Sequence, residues 1–163
     1  MRRGFFLPLA GIVAGVAPAS AQLLSDSDVA HFAGCYGVEA GAWDLHGLEI
    51  APEELPKLPS RLELSLQLLF RPQTGPITVE RQAKAYDADG RRIRPLGKWR
   101  APNPRRFSVG GVDPSVRIVI EARLTESLEL EAWATYVPPE VDLTRSVPAS
   151  VPTSLLELVS IDC

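Results

Sequence analysis

The residues best suited to chemistry lie between Arg91 and Arg106. Arg91, Arg92, Arg94, Lys98, Arg100, Arg105 and Arg106 occur there without one acidic residue, with Trp99 among them and Phe107 just beyond. Guanidinium groups present forked donors that match the oxygens of phosphate, sulfate or carboxylate, and an aromatic ring beside them suits a glycan. The acids are concentrated elsewhere, from Glu39 to Glu63 and from Glu121 to Asp142. This segregation makes Arg91, Arg92, Arg94, Lys98, Trp99, Arg100, Arg105 and Arg106 a candidate anion-binding patch on an acidic protein. The competing reading pairs the same cations with Glu129 and Glu131 on neighbouring strands, which leaves no charge for a ligand.

The other polar motifs point to structure rather than reaction. Asp44 and His46 are two apart, so an extended segment offers two metal ligands on one face, but no third is evident nearby. Asp87-Ala88-Asp89-Gly90 begins like a calcium loop, yet the acid such a loop needs further on is replaced by the basic run. Its Asp-Gly pair is instead a hairpin turn signal. Glu53 and Glu54 are adjacent and diverge, unlike the facing carboxylates of an acid–base pair. No Gly-x-Ser-x-Gly, Walker loop, His-Glu-x-x-His or Cys-x-x-Cys occurs. The expectation is a protein that is not an enzyme and uses no cofactor and no metal.

Compartment follows from the first residues. Arg2 and Arg3 precede an apolar run from Phe5 to Val16, and Ala19-Ser20-Ala21 is a small-residue cleavage site. Residues 1–21 therefore read as a signal peptide cleaved after Ala21, and residues 22–163 as a single exported domain, periplasmic or secreted. General secretion is the first reading of the route, and the Arg2-Arg3 pair keeps twin-arginine export as the alternative. Phe32-Ala33-Gly34-Cys35 has the outline of a lipobox, but the polar run from Ser25 to His31 separates it from the apolar segment, so lipidation is not expected. No further stretch is apolar enough to span a membrane. Without residues 1–21 the chain keeps 15 Lys+Arg against 20 Asp+Glu, a net charge of −5, which argues against nucleic acid as a partner. The two cysteines, Cys35 and Cys163, form an even pair in an exported protein and read as a disulfide. It closes a loop of nearly the whole domain, for which chain entropy gives on the order of 5 kcal/mol.

Strand periodicity supplies the elements that position these groups. From Ser115 to Tyr136, Val116, Ile118, Ile120, Ala122 and Leu124 alternate with Arg117, Glu121 and Arg123. After a polar break at Thr125 to Ser127, Leu128, Leu130, Ala132 and Ala134 alternate with Glu129, Glu131 and Thr135, with Trp133 the one apolar residue on the outer face. That is a hairpin with one face covered. Arg61 to Phe70 repeats the pattern through Leu62, Leu64, Leu66 and Leu68. Further strands are expected at Cys35 to Glu39, Ile77 to Tyr86, Arg91 to Leu96, Arg105 to Val109 and Ser154 to Asp162, the last apolar on both faces. Helix is confined to a turn or two near Asp26 to Phe32 and a short turn at Pro52 to Leu55. Pro138, Pro139, Pro148 and Pro152 argue against regular structure between Pro138 and Thr153.

About eight short strands joined end to end by a disulfide fit an all-β fold: a small antiparallel up-and-down barrel, with a two-sheet β-sandwich as the alternative. Phe32-Ala33-Gly34-Cys35-Tyr36, entering the first strand after a short helix, resembles the entrance motif of the lipocalin and calycin class, and Gly41-Ala42-Trp43 is a second candidate for it. The arginine that class carries near its last strand has no counterpart from Leu155 to Cys163. The resemblance implies a lipocalin-like barrel and a small-molecule ligand. The expected function is non-catalytic binding of a small apolar or anionic ligand, at the barrel mouth or on the basic patch. The alternative is a structural or protein-interaction module of the cell envelope with a filled barrel. An inward series rich in leucine favours a filled interior.

Overall fold

A one-turn helix α1 (Asp26–Val29) and a 3-10 turn (Ala30–Phe32) lead into eight strands. These are β1 (Gly34–Ala40), β2 (Arg61–Leu69), β3 (Thr78–Tyr86), β4 (Trp99–Asn103), β5 (Arg106–Val109), β6 (Ile118–Leu124), β7 (Leu130–Tyr136) and β8 (Thr153–Ile161). The structure, a computed structural model, describes residues 25–69, 78–94, 96–110, 117–139, 141 and 150–163. Residues 1–21, expected to be a signal peptide, and Phe70, Ile77 and Val116 of the expected strands, lie outside the described residues.

The strands form one antiparallel sheet in the order β3-β2-β1-β8-β7-β6-β5-β4. Sequence neighbours other than β3 and β4 are sheet neighbours, and β1 pairs with β8 from Cys35↔Ile161 to Ala40↔Leu156. The sheet curls until its two edges, β3 and β4, approach. Isolated bridges join Gln82 to Lys98 and Tyr86 to Arg92, while the Ala83 amide donates to the Gly97 carbonyl (3.1 Å). The barrel is thus nearly closed and the sandwich alternative is excluded. Its seam lies between β3 and β4, and the first and last strands meet inside the ladder. Cys35 and Cys163 are joined by a disulfide there, with Cα atoms 5.3 Å apart.

Side chains of alternating size fill the interior. Trp99, Phe32, Phe107 and Tyr36 are buried, and so are Ala83, Ala85, Ala101, Ala122, Ala132 and Ala134, whose small side chains leave room for the rings. Phe32 meets Phe107 edge-on at 5.1 Å, and the Tyr36 hydroxyl donates to the Phe32 carbonyl (2.8 Å). The helix and its 3-10 turn therefore plug the barrel end that also carries the disulfide. Each ring buried this way contributes about 1.5–3 kcal/mol.

Periodicity misplaced three features. Among its described residues Arg91 to Leu96 forms no strand beyond an isolated bridge from Arg92 to Tyr86: its apolar residues Ile93 and Leu96 are three apart, so one strand cannot turn both inward. The strand lies further on, at Trp99–Asn103. It contains Pro102, and its register with β5 shifts between Arg100 and Asn103, as fits an edge strand with a missing amide donor. Leu128, assigned inward, has φ 64° and is 75% exposed, because it closes the β6–β7 turn, its backbone N–H donating to the Thr125 carbonyl (3.1 Å). Leu68 also lies outside the core, so the buried series on β2 is Leu62 and Leu64, with Leu66 partly covered.

Candidate functional site

Up-and-down topology sorts the connections. Those after β1, β3, β5 and β7 leave from one end, the mouth, and those after β2, β4 and β6 from the plugged end. At the mouth a cleft of about 280 Å³ is lined by Pro56, Lys57, Asp87, Ile93, Leu96, Arg117 and Ile118. Its apolar lining residues are Pro56, Ile93, Leu96 and Ile118. Lys57 and Arg117 stand at the cleft without an ion-pair partner among the described residues. Asp87 is committed to its turn, its Oδ1 accepting the amides of Asp89 (3.0 Å) and Arg91 (2.8 Å). Gly90 completes that turn at φ 77°, so Asp87-Ala88-Asp89-Gly90 is a hairpin turn. The cleft thus combines an apolar wall with two available cations, the arrangement that takes an apolar body bearing an anionic group.

The basic run is divided along β4. Arg91, Arg92 and Arg94 are exposed on the β3–β4 connection, and Lys98 and Arg100 are exposed at the β4 seam. None of these five makes an ion pair among the described residues. Arg105 and Arg106 sit at the far end of the strand, roughly 13 Å away at strand rise, and both are engaged. Arg105 donates to the carbonyls of Leu124 (3.3 Å) and Thr125 (2.6 Å), and Arg106 lies 3.7 Å from Glu121. Trp99 is no part of a surface patch. It is 2% exposed, faces inward as strand alternation requires, donates its indole N–H to the Ser65 carbonyl (3.1 Å) and lies under the Arg81 guanidinium at 5.6 Å. The acids expected to neutralise the run are used elsewhere: Glu131 pairs with Arg123 (2.7 Å), and Glu129 is bonded in the β6–β7 turn.

Asp44 and His46 do meet. Asp44 Oδ2 lies 3.5 Å from His46 Nδ1, and His46 Nε2 is 2.9 Å from the Thr153 hydroxyl. The trio ties the β1–β2 connection to the start of β8. Among the described residues no cluster of three His, Cys, Asp or Glu forms around it. Glu53 and Glu54 lie on an exposed 3-10 turn (Pro52–Glu54).

The mouth cleft was missed at residue level by sequence reasoning. Its signal was the pair Ile93 and Leu96, apolar residues inside a basic, turn-flanked segment that a strand reading had absorbed.

Fold and cleft define the class: a disulfide-closed, eight-stranded antiparallel barrel with a small amphipathic cleft at its mouth. No protein family, curated protein or solved structure matches the chain. Among the described residues no helix is long and apolar enough to cross a membrane.

Proposed function

We propose that this is an exported, non-catalytic binding protein that takes a small ligand with an apolar body and an anionic group at the barrel mouth. The observation that carries the reading is the cleft itself, where Ile93, Leu96 and Ile118 lie beside Lys57 and Arg117. The basic run supports it. Arg91, Arg92 and Arg94 lie on the same connection that supplies Asp87, Ile93 and Leu96, so cations unpaired among the described residues stand at the mouth of an otherwise acidic protein and steer anions towards it. The disulfide supports export, as do the residues read as a signal peptide. The lipocalin-like resemblance agrees with the short helix that enters β1 through Phe32-Ala33-Gly34-Cys35-Tyr36.

The test is a titration with octanoate followed by methyl NMR. Resonances of Ile93, Leu96 and Ile118 shift together and saturate, Arg117→Glu weakens binding about tenfold, and Ile93→Trp blocks the cleft. Shifts that never saturate, or that fall away from the mouth, overturn the reading.

A further inference from the structure

The outer face of β8 is unlike the rest of the barrel wall. Along its outward positions run Leu155, Glu157, Val159 and Ile161, and the three apolar side chains are 78%, 49% and 41% exposed. An outward strand face in water ordinarily alternates with the core in polarity, and neighbouring apolar groups left on the surface mark contact sites. The adjoining positions extend the feature. Trp133 on β7 stands in register with Leu155, while Gly37 on β1 stands opposite Val159. Gly41, just past β1, donates its amide to the Leu155 carbonyl (2.9 Å). The Ile161 methyl group packs over Gly37, 3.6 Å from where a Cβ would stand, and beside Gly41 a shallow groove of about 360 Å³ runs between Glu39, Ala40, Gly41 and Leu155, Leu156, Glu157.

At the centre of this face Glu39 and Glu157 are directly opposed across the β1–β8 ladder. Both are exposed, and neither has an ion-pair partner among the described residues. Like charges in that position destabilise a sheet. A cation from outside would relieve the repulsion, and apolar groups on either side of it would cover Leu155 and Val159. Among the described residues the unpaired cations on the wall, Lys98 and Arg100, cannot supply it, because β4 is four strands from β8 in either direction around the barrel.

We propose that this face docks a protein partner through a segment that presents a lysine or arginine between apolar side chains. The cation sits between Glu39 and Glu157, and the apolar neighbours lie on Leu155 and Val159. Charge complementarity selects the cation, and the exposed β8 side chains select what flanks it.

The test is calorimetry on the unmodified protein with three short peptides, which alternate valine with lysine, valine with glutamate, and serine with lysine. Only the valine–lysine peptide binds, and its affinity falls as salt rises. Two independent double variants, Glu39→Gln with Glu157→Gln and Leu155→Ser with Val159→Ser, each weaken binding about tenfold or more. Failure of the valine–lysine peptide to bind, equal binding of the serine–lysine peptide, or unchanged affinity in both variants overturns the proposal. Because the three-peptide comparison uses unmodified protein, a variant that misfolds does not rescue it. Sedimentation supplies the last outcome: self-association abolished both by Glu39→Gln with Glu157→Gln and by Lys98→Glu with Arg100→Glu identifies the occupant as a second copy and overturns the proposed partner.

Discussion

At Tyr36 a single hydroxyl links the plug to the barrel. It donates to the Phe32 carbonyl (2.8 Å), and burial pushes its pKa above the ordinary value of 10.0 because the phenolate would lose its hydration. Folding then holds the proton more tightly than the unfolded chain does, so the contribution is fully present below pH 10 and is lost as pH rises through the folded value. Urea denaturation of Tyr36→Phe will show lower stability near neutrality, by about 1 kcal/mol for the lost hydrogen bond, and a shallower fall above pH 10 than the unmodified protein. The basic residues make a second contrast. Lys98→Glu with Arg100→Glu will lower the salt needed to elute the protein from heparin while leaving thermal stability nearly unchanged, since neither group is paired among the described residues. Arg105→Glu will instead reduce stability, because it removes the guanidinium held by the carbonyls of Leu124 and Thr125.

For the elements, turns decide what alternation leaves open. Gly110 leaves β5 at φ +110°, and a Cβ there would stand 2.5 Å from the Ile118 carbonyl oxygen on β6. Gly110→Ala therefore has to shift the β5–β6 pairing, and it will cost more than about 1 kcal/mol in chemical denaturation. Gly90 also has positive φ (77°), which strains a side chain although nothing lies within 4 Å of its Cβ position, so Gly90→Asn, the residue that best tolerates this conformation, will cost less than Gly110→Ala. The Asp-Gly turn was legible in the sequence because its chemistry is local. The strand after it was not. Whether a segment pairs as β4 depends on which residues can turn inward together, and Trp99 with Ala101 does so where Ile93 with Leu96 does not.

Over the whole molecule, the Cys35–Cys163 disulfide spans a separation of 128 residues and ties together two strands that the ladder already pairs. Cys35→Ser will cost about 2–5 kcal/mol by releasing the constraint on the unfolded chain. Because the bond lies at the plugged end, octanoate affinity at the mouth will stay within a factor of two or so of the unmodified value. A drop of tenfold or more would mean that the two ends of the barrel are coupled.

The sequence alone determined the alternation, the Cys35–Cys163 pair, the Asp87–Gly90 turn and the all-β class, because each rests on neighbours within a few residues or on a count of two. It also marked the basic run, but it could not divide it. Facing, pairing and the β3–β4 seam were decided by tertiary structure alone. Closure of the sheet turned Trp99 into the core, set Arg106 beside Glu121, left Lys98 and Arg100 unpaired among the described residues, and brought Lys57, Ile93, Leu96 and Arg117 from three connections to one mouth. Those contacts join residues far apart in the chain, and no local periodicity encodes them.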